Sequence, residues 1–281
     1  MSSLETMGVG IPGESAGKPT LPLRTLDGEK LDRAVLDASG ILIFDIETVP
    51  ATVHTYDLRT RFISPKSVAT PGSMLSWAAQ WYHEPTRVMY RDVRSAEMLP
   101  DLWQLLDHAS YVVGYNSDRF DLRKVRGYFA RNGLPPARPA KSIDLIKAVR
   151  TLGFESASLD YAARMFGVRR KVDNGAVANW QDCLMGDATA WKRLRRYNTG
   201  DVRTTTELFD AIRPWIPGHP YMGFAAKDDN GEHCPRCGST DTRQEGVVQA
   251  VVIRYRQHRC LNCKGLYRST LHHRAGYTRA V

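Results

Sequence analysis

The run Ile41-Leu42-Ile43-Phe44, continued by Asp45-Ile46-Glu47-Thr48, restricts the fold more than any other segment. Its apolar content is unbroken at the start and rich in β-branched residues, which marks a strand covered on both faces in the middle of a sheet. Strand side chains alternate, so Asp45 and Glu47 leave the end of this strand on one face. Two carboxylates placed in this way clamp a hard cation.

Two further segments carry acids: Asn116-Ser117-Asp118-Arg119-Phe120-Asp121 and Tyr197-Asn198-Thr199-Gly200-Asp201. Tyr197 and Asp201 lie four apart in a helical stretch and so stack on one face. Asp121 falls near the start of another element. Singly, each segment has a plainer reading: a strand running into a loop, a helix cap at Asn116 followed by a core aromatic, and a helix with one packed ring. Together, Asp45, Glu47, Asp121 and Asp201 with the Tyr197 phenol suit two Mg²⁺ or Mn²⁺ ions holding both sides of a phosphodiester displacement. Gly200 inside a helix costs about 1 kcal/mol relative to Ala, which implies a close approach there.

The three segments resemble the sequence motifs of the DEDD 3′–5′ exonucleases of the DnaQ-like superfamily, and Tyr197 resembles the DEDDy branch. The resemblance runs from about Gly40 to Trp215. It implies an α/β, ribonuclease-H-like mixed sheet flanked by helices. It also implies Asp45, Glu47, Asp121 and Asp201 as ligands of two Mg²⁺ or Mn²⁺ ions, and Tyr197 as the residue orienting the attacking water. The runs Ser158 to Ala163 and Tyr197 to Val202 are similar to predicted exonucleases of phage genomes. The implied reaction is release of nucleotides from 3′ ends, of DNA before RNA. A non-catalytic nucleic-acid-binding protein is the reading from another class.

The elements agree with an α/β layout reached independently. Met74 to Tyr82 and Thr86 to Tyr90 read as strands separated by a turn at Pro85. A helix follows from about Ser95 to His108, with Met98, Leu102, Leu105 and Leu106 on one stripe. Ser110 to Gly114 reads as a short strand, and the helix from Asp121 ends at Asn132-Gly133. Ser142 to Ile146 reads as a last strand and Ser158 to Phe166 as a helix stopped by Gly167. Asp187 caps a long helix reaching about Ile212.

Cys234-Pro235-Arg236-Cys237 and Cys260-Leu261-Asn262-Cys263 form two knuckles 22 residues apart. Paired knuckles of four thiolates match one structural Zn²⁺, and so small a β module needs such a staple. Val247 to Gln257 between them is β-rich and predicts a ribbon hairpin. Arg254, Arg256 and His258 alternate onto one strand face beside Tyr255 and Tyr267, a pattern suited to gripping nucleic acid, with a solvated charged face as the competing reading. The fifth cysteine, Cys183, reads as a packed thiol.

The chain of 281 residues carries a formal net charge of +9, and from Lys227 onward ten Lys and Arg face five Asp and Glu. Positive charge on this scale suits a polyanionic partner. The nucleic-acid contacts expected are Thr48 and Asn116 beside the acids, and Arg254, Arg256, Tyr255 and Tyr267 on the ribbon. A second basic cluster, Lys192, Arg193, Arg195 and Arg196, leads into Tyr197. A polymerase or another replication or repair protein is a further partner class. The expected organisation is a Ser/Gly/Pro-rich, partly disordered arm over 1–39, a catalytic domain over 40–223 and a ribbon with a basic tail over 224–281. No stretch reaches the ~18 apolar residues of a membrane span, and the expected setting is cytoplasmic.

Overall fold

The computed structural model describes residues 40–57, 59–169, 176–219, 233–250 and 253–274, without the side chains of 176–179 and 270–274. The expected N-terminal arm lies outside these residues. Strand β1 (Ile41–Val49) is followed by the short pair β2 (Thr52–Val53) and β3 (Val68–Thr70), then by β4 (Ser73–Trp81) and β5 (Met89–Asp92). Helix α1 (Met98–His108), β6 (Tyr111–Gly114), α2 (Asp121–Arg131) and β7 (Lys141–Asp144) come next. The helices α3 (Leu145–Arg150), α4 (Leu159–Met165), α5 (Ala176–Leu184) and α6 (Ala188–Ile212) complete this part.

A five-stranded sheet has the order β5-β4-β1-β6-β7. The β1 strand sits at its centre, antiparallel to β4 and parallel to β6. Alternation along β1 sorts its side chains between two cores. Leu42, Phe44 and Ile46 pack with Met98, Leu102, Leu105 and Leu106 of α1 and with Val125 and Phe129 of α2. Ile41 and Ile43 pack on the opposite face with Val202, Leu208, Phe209 and Ile212 of α6 and with Leu145 of α3. By the same alternation Asp45 and Glu47 belong to the α6 face. That is why the longest helix meets the strand-end carboxylates.

The expected elements differ from the observed ones in definite places. The strand expected over Thr86 to Tyr90 is shifted to Met89–Asp92, because the turn after Trp81 extends further and is held by Gln80, whose Nε2 donates to the carbonyls of Glu84 and Pro85. The last strand stops at Asp144. Its carboxylate accepts from the N–H of Ile146 and caps α3, a helix that the Ile- and Val-containing sequence disguised as strand. Helix α5 was likewise not expected. Asp187 caps α6 as read from the sequence, accepting from the N–H of Thr189 at 2.7 Å. Cys183 is packed against Leu75 and Leu194, and burial pushes its thiol up to about 11.

The C-terminal region is a separate three-stranded antiparallel sheet of β8 (Thr242–Gln249), β9 (Ile253–Cys260) and β10 (Leu266–Arg274), in the order β10-β9-β8. The expected hairpin therefore gains a third strand, which follows the second knuckle. Among the described residues no helix is long and apolar enough to cross a membrane.

Candidate metal centres

Past Ile43 the β1 strand parts from β6, whose pairing with it ends at Val113. The backbone on that side of β1 then needs other partners. Asp121, in the first turn of α2, supplies one: its Oδ1 accepts from the N–H of Ile46 at 3.1 Å. The chain reaches α2 through a tight turn after Gly114, where an added Cβ would lie 2.5 Å from the Cβ of Ser117. Asn116 sits at φ +61°, in the left-handed region that Asn tolerates, and its N–H donates to Oδ1 of Asp144 at 2.7 Å. Asn116 is thus a turn residue, and the N-cap position of α2 is taken by Phe120, which makes no side-chain capping bond.

On the other side of β1 the register with β4 is interrupted between Glu47 and Thr48, with Glu47 opposite Ser76 and Thr48 opposite Met74. Such an irregularity re-aims the strand where it leaves the sheet. Helix α6 crosses this end and buries Tyr197 and Asp201. The side-chain oxygens of Asp45, Glu47 and Asp201 approach within 4.8 Å of one another. Asp121 lies outside that group of three and touches it through Ile46, the residue between its two strand members. Tyr197 stands one turn before Asp201.

The residue that sequence reasoning passed over is Asn198. It is fully buried, and its Nδ2 donates to Oδ2 of Asp45 at 2.7 Å and to the Asp45 carbonyl at 3.3 Å. Its own Oδ1 accepts from the hydroxyl of Ser76 at 3.0 Å, and Ser76 is also fully buried. Ser76, Asn198 and Asp45 form a chain that fixes the orientation of one carboxylate. The available signal was an Asn inside a helix, where its propensity is poor and a specific bond is needed to retain it. Three convergent carboxylates, hard oxygen donors with one held in place, fit a divalent cation.

The four cysteines form the second centre. Their sulfurs lie within 4.8 Å of one another, with Cys234 to Cys263 at 3.7 Å and Cys237 to Cys260 at 3.6 Å. A tetrahedral ion with bonds of about 2.3 Å separates its sulfur ligands by about 3.8 Å, and these two spacings match such an ion. The backbone N–H of Cys263 points to the sulfur of Cys260 at 3.4 Å. Arg236, inside the first knuckle, joins this region to the larger one. Its guanidinium donates to the carbonyls of Arg213 and Ile216, at 2.8 and 2.9 Å, while Arg213 donates to the Arg236 carbonyl at 2.7 Å.

The expected nucleic-acid contacts are distributed unevenly. Thr48 is half-buried just past the irregularity in β1. Arg254 and Arg256 are exposed on β9, but the row of basic side chains stops there because His258 is buried. Tyr267 stacks on His258 with ring centroids 5.3 Å apart, and Tyr255 lies under Arg268 at 4.3 Å.

A mixed sheet with β1 at its centre, flanked by helices and carrying acids at the β1 end, defines a ribonuclease-H-like α/β protein with a separate β-rich C-terminal region. The chain belongs to the RNase_H superfamily, whose family model matches residues 66–213. The matched segment holds Asp121, Tyr197 and Asp201, while Asp45 and Glu47 precede it. No curated protein matches. Among solved structures the chain is similar to the family B DNA polymerase from the hyperthermophilic archaeon Pyrobaculum calidifontis, with a TM-score of 0.47 and 16% identity. That similarity covers 76% of this chain and 33% of the polymerase, so the chain spans about a third of it.

Proposed function

We propose that the protein is a metal-dependent 3′–5′ exonuclease of the DEDDy, DnaQ-like type, acting on DNA strands. The observation that carries this reading is the approach of Asp45, Glu47 and Asp201 to within 4.8 Å, although Asp201 follows Glu47 by 154 positions and Asp45 by 156 in the sequence. Asp45, Glu47 and Asp201, with Asp121 beside them, would hold two Mg²⁺ or Mn²⁺ ions. When bound, such ions acidify water and neutralise charge on a phosphate.

The chain's own groups supply the rest. Asn198 keeps the Asp45 carboxylate in one orientation. The Tyr197 hydroxyl serves as a hydrogen-bonding guide for the attacking water. Water attacks the terminal phosphodiester, a P–O bond forms, and the bond to the neighbouring 3′ oxygen breaks. That oxygen takes up a proton, and a nucleoside 5′-monophosphate leaves. The four cysteines would hold one Zn²⁺ that stabilises the C-terminal sheet, making 40–223 the catalytic domain and 224–281 a zinc ribbon for nucleic acid or a protein partner.

Nucleotide release is measured on matched DNA and RNA strands with free and blocked 3′ ends, in Mg²⁺ and in Mn²⁺. The reading expects monophosphates from free 3′ ends, faster from DNA. Cleavage of circular single strands would replace the exonuclease by an endonuclease. Faster release from RNA would make it an exoribonuclease, and absence of metal-dependent release would leave a binding protein.

A further inference from the structure

Beside the first half of α6 lies a cleft of about 400 Å³ lined by Tyr90, Arg91, Arg94, Trp191, Lys192 and Arg195 among others. Of the basic cluster on α6, only Lys192 and Arg195 line it. Arg193 and Arg196 are exposed elsewhere on the same helix. The cleft therefore selects two of four neighbouring cations and adds two more from the segment around β5.

Its guanidinium groups are held in place. Arg94 is gripped by both oxygens of Asp92, at 2.8 and 2.7 Å, and lies 4.2 Å over the Trp191 ring. Arg195 lies 5.4 Å over the ring of Tyr90, and Arg91 pairs with Asp101 at 2.9 Å. Four cations thus face two carboxylates, and the positive charge is in excess. A guanidinium has five N–H donors, so Arg94 keeps three for a ligand after binding Asp92. The positive end of α6 adds to the field, since Ala188 in its first turn also lines the cleft. An excess of fixed cations beside aromatic rings is the chemistry that receives the phosphate backbone of a single nucleic-acid strand.

The position agrees with that occupant. Arg195 and Lys192 precede Asp201 by six and nine residues on one helix, about 9 to 14 Å along its axis. The sheet gives a second ruler: Glu47 is opposite Ser76, and Ser76 is opposite Asp92, two strand spacings or about 10 Å. Stacked nucleotides follow one another at about 3.4 Å, so the cleft lies about three to four nucleotides from the carboxylates. Resting on the nuclease reading above, we propose that this cleft grips the backbone of the substrate strand about three to four nucleotides from the scissile bond and so sets the minimum length of a tightly bound strand.

The test measures binding of a fluorescein-labelled, long single-stranded oligodeoxythymidylate by anisotropy across a salt series, with Ca²⁺ in place of Mg²⁺. Lys192→Ala with Arg195→Ala should weaken binding at low salt by about tenfold or more. It should also make the slope of log K against log salt shallower by about 1.4, two phosphates at about 0.7 each for a single strand. Arg193→Ala with Arg196→Ala removes the same charge from the same helix and should leave affinity within about twofold. Both cleft side chains are exposed; should the double variant not fold, Lys192→Ala alone carries the test with half the change in slope. Equal weakening by the two pairs, or an unaltered slope in the cleft variant, would overturn the proposal. Mn²⁺-dependent release by the unaltered protein is assayed in parallel: its absence sinks the nuclease reading, whereas normal release with an unaltered slope sinks only the cleft.

Discussion

Asn198 donates a hydrogen bond to the carboxylate of Asp45 across 153 positions of chain, and it does so from a fully buried place in the middle of α6. The bond ties the orientation of a strand-end acid to the helix that carries Asp201. A first prediction follows from the geometry. Asn198→Ala removes the donor without adding charge and should lower metal affinity or turnover by about 10- to 100-fold, the usual effect of losing a group that orients a ligand. The Mn²⁺ concentration giving half-maximal rate should rise. If that concentration and the rate are both unchanged in a folded variant, Asn198 is a packing residue only.

Removing a ligand should separate stability from activity. Asp45→Ala or Asp201→Ala should abolish nucleotide release. The metal-free variants should melt at the same temperature as the parent or higher, because three crowded carboxylates repel one another. Retention of parental turnover at saturating Mn²⁺ would remove these residues from the site.

Tyr197 is buried one turn before Asp201, so Tyr197→Phe keeps the ring in place and deletes only the hydroxyl. Single-turnover release should fall by about 10²- to 10⁴-fold, the range for a positioned hydrogen-bonding group, with little change in strand affinity. An unaltered rate would mean that the phenol does not guide the water.

Legibility in the sequence followed the range of the interactions. The placement of Asp45 with Glu47, and of Tyr197 with Asp201, rests on strand and helix periods that act within five residues, and both could be read directly. The side of β1 on which the acids emerge was equally legible from alternation, although only the structure shows that α6 covers it. Asn198 was opaque because its partners, Asp45 and Ser76, lie 153 and 122 positions away. Asp121 was placed correctly at a helix start, but its bond to the Ile46 amide depends on where β6 ends. The third ribbon strand was missed because Leu266 to Arg274 mixes His, Arg and Ser with few apolar residues, so its pairing comes from β9 rather than from its own propensity.

Asp101 makes the stability of the fold depend on pH. Burial pushes its carboxyl up to about 6 even though Arg91 lies 2.9 Å away and pulls it down. The ordinary value, and that of the unfolded chain, is about 3.9. Between these two values the folded protein binds more protons than the unfolded one, so this contribution is full below about pH 4 and is lost as pH rises through 6. The difference in melting temperature between the parent and Asp101→Asn should therefore shift in favour of the parent as pH falls from 7 to 5. A difference that is flat across this range would show that the Arg91 pairing cancels the burial.

The last prediction concerns the joint between the two regions. Arg213 is buried and bonded to Tyr82 and Asp210, and it exchanges hydrogen bonds with Arg236 inside the first knuckle. A protein ending near Gly223 should fold, since Arg213 keeps Tyr82 and Asp210, but it should melt at a lower temperature because the carbonyl of Arg236 is gone. It should still release nucleotides from short strands, bind long ones more weakly and show a shallower salt slope as phosphate contacts are lost. Cys234→Ser with Cys237→Ser should reproduce this behaviour, because metal binding supplies the folding energy of so small a sheet. Arg236→Ala keeps the four sulfurs and should retain one zinc per chain while losing the added thermal stability. Elemental analysis that finds no zinc in the unaltered protein would refute the zinc assignment. If zinc is present, truncation that changes neither melting nor salt slope would show that the knuckle contacts the segment after α6 without stabilising it and that the ribbon contributes no phosphate contacts.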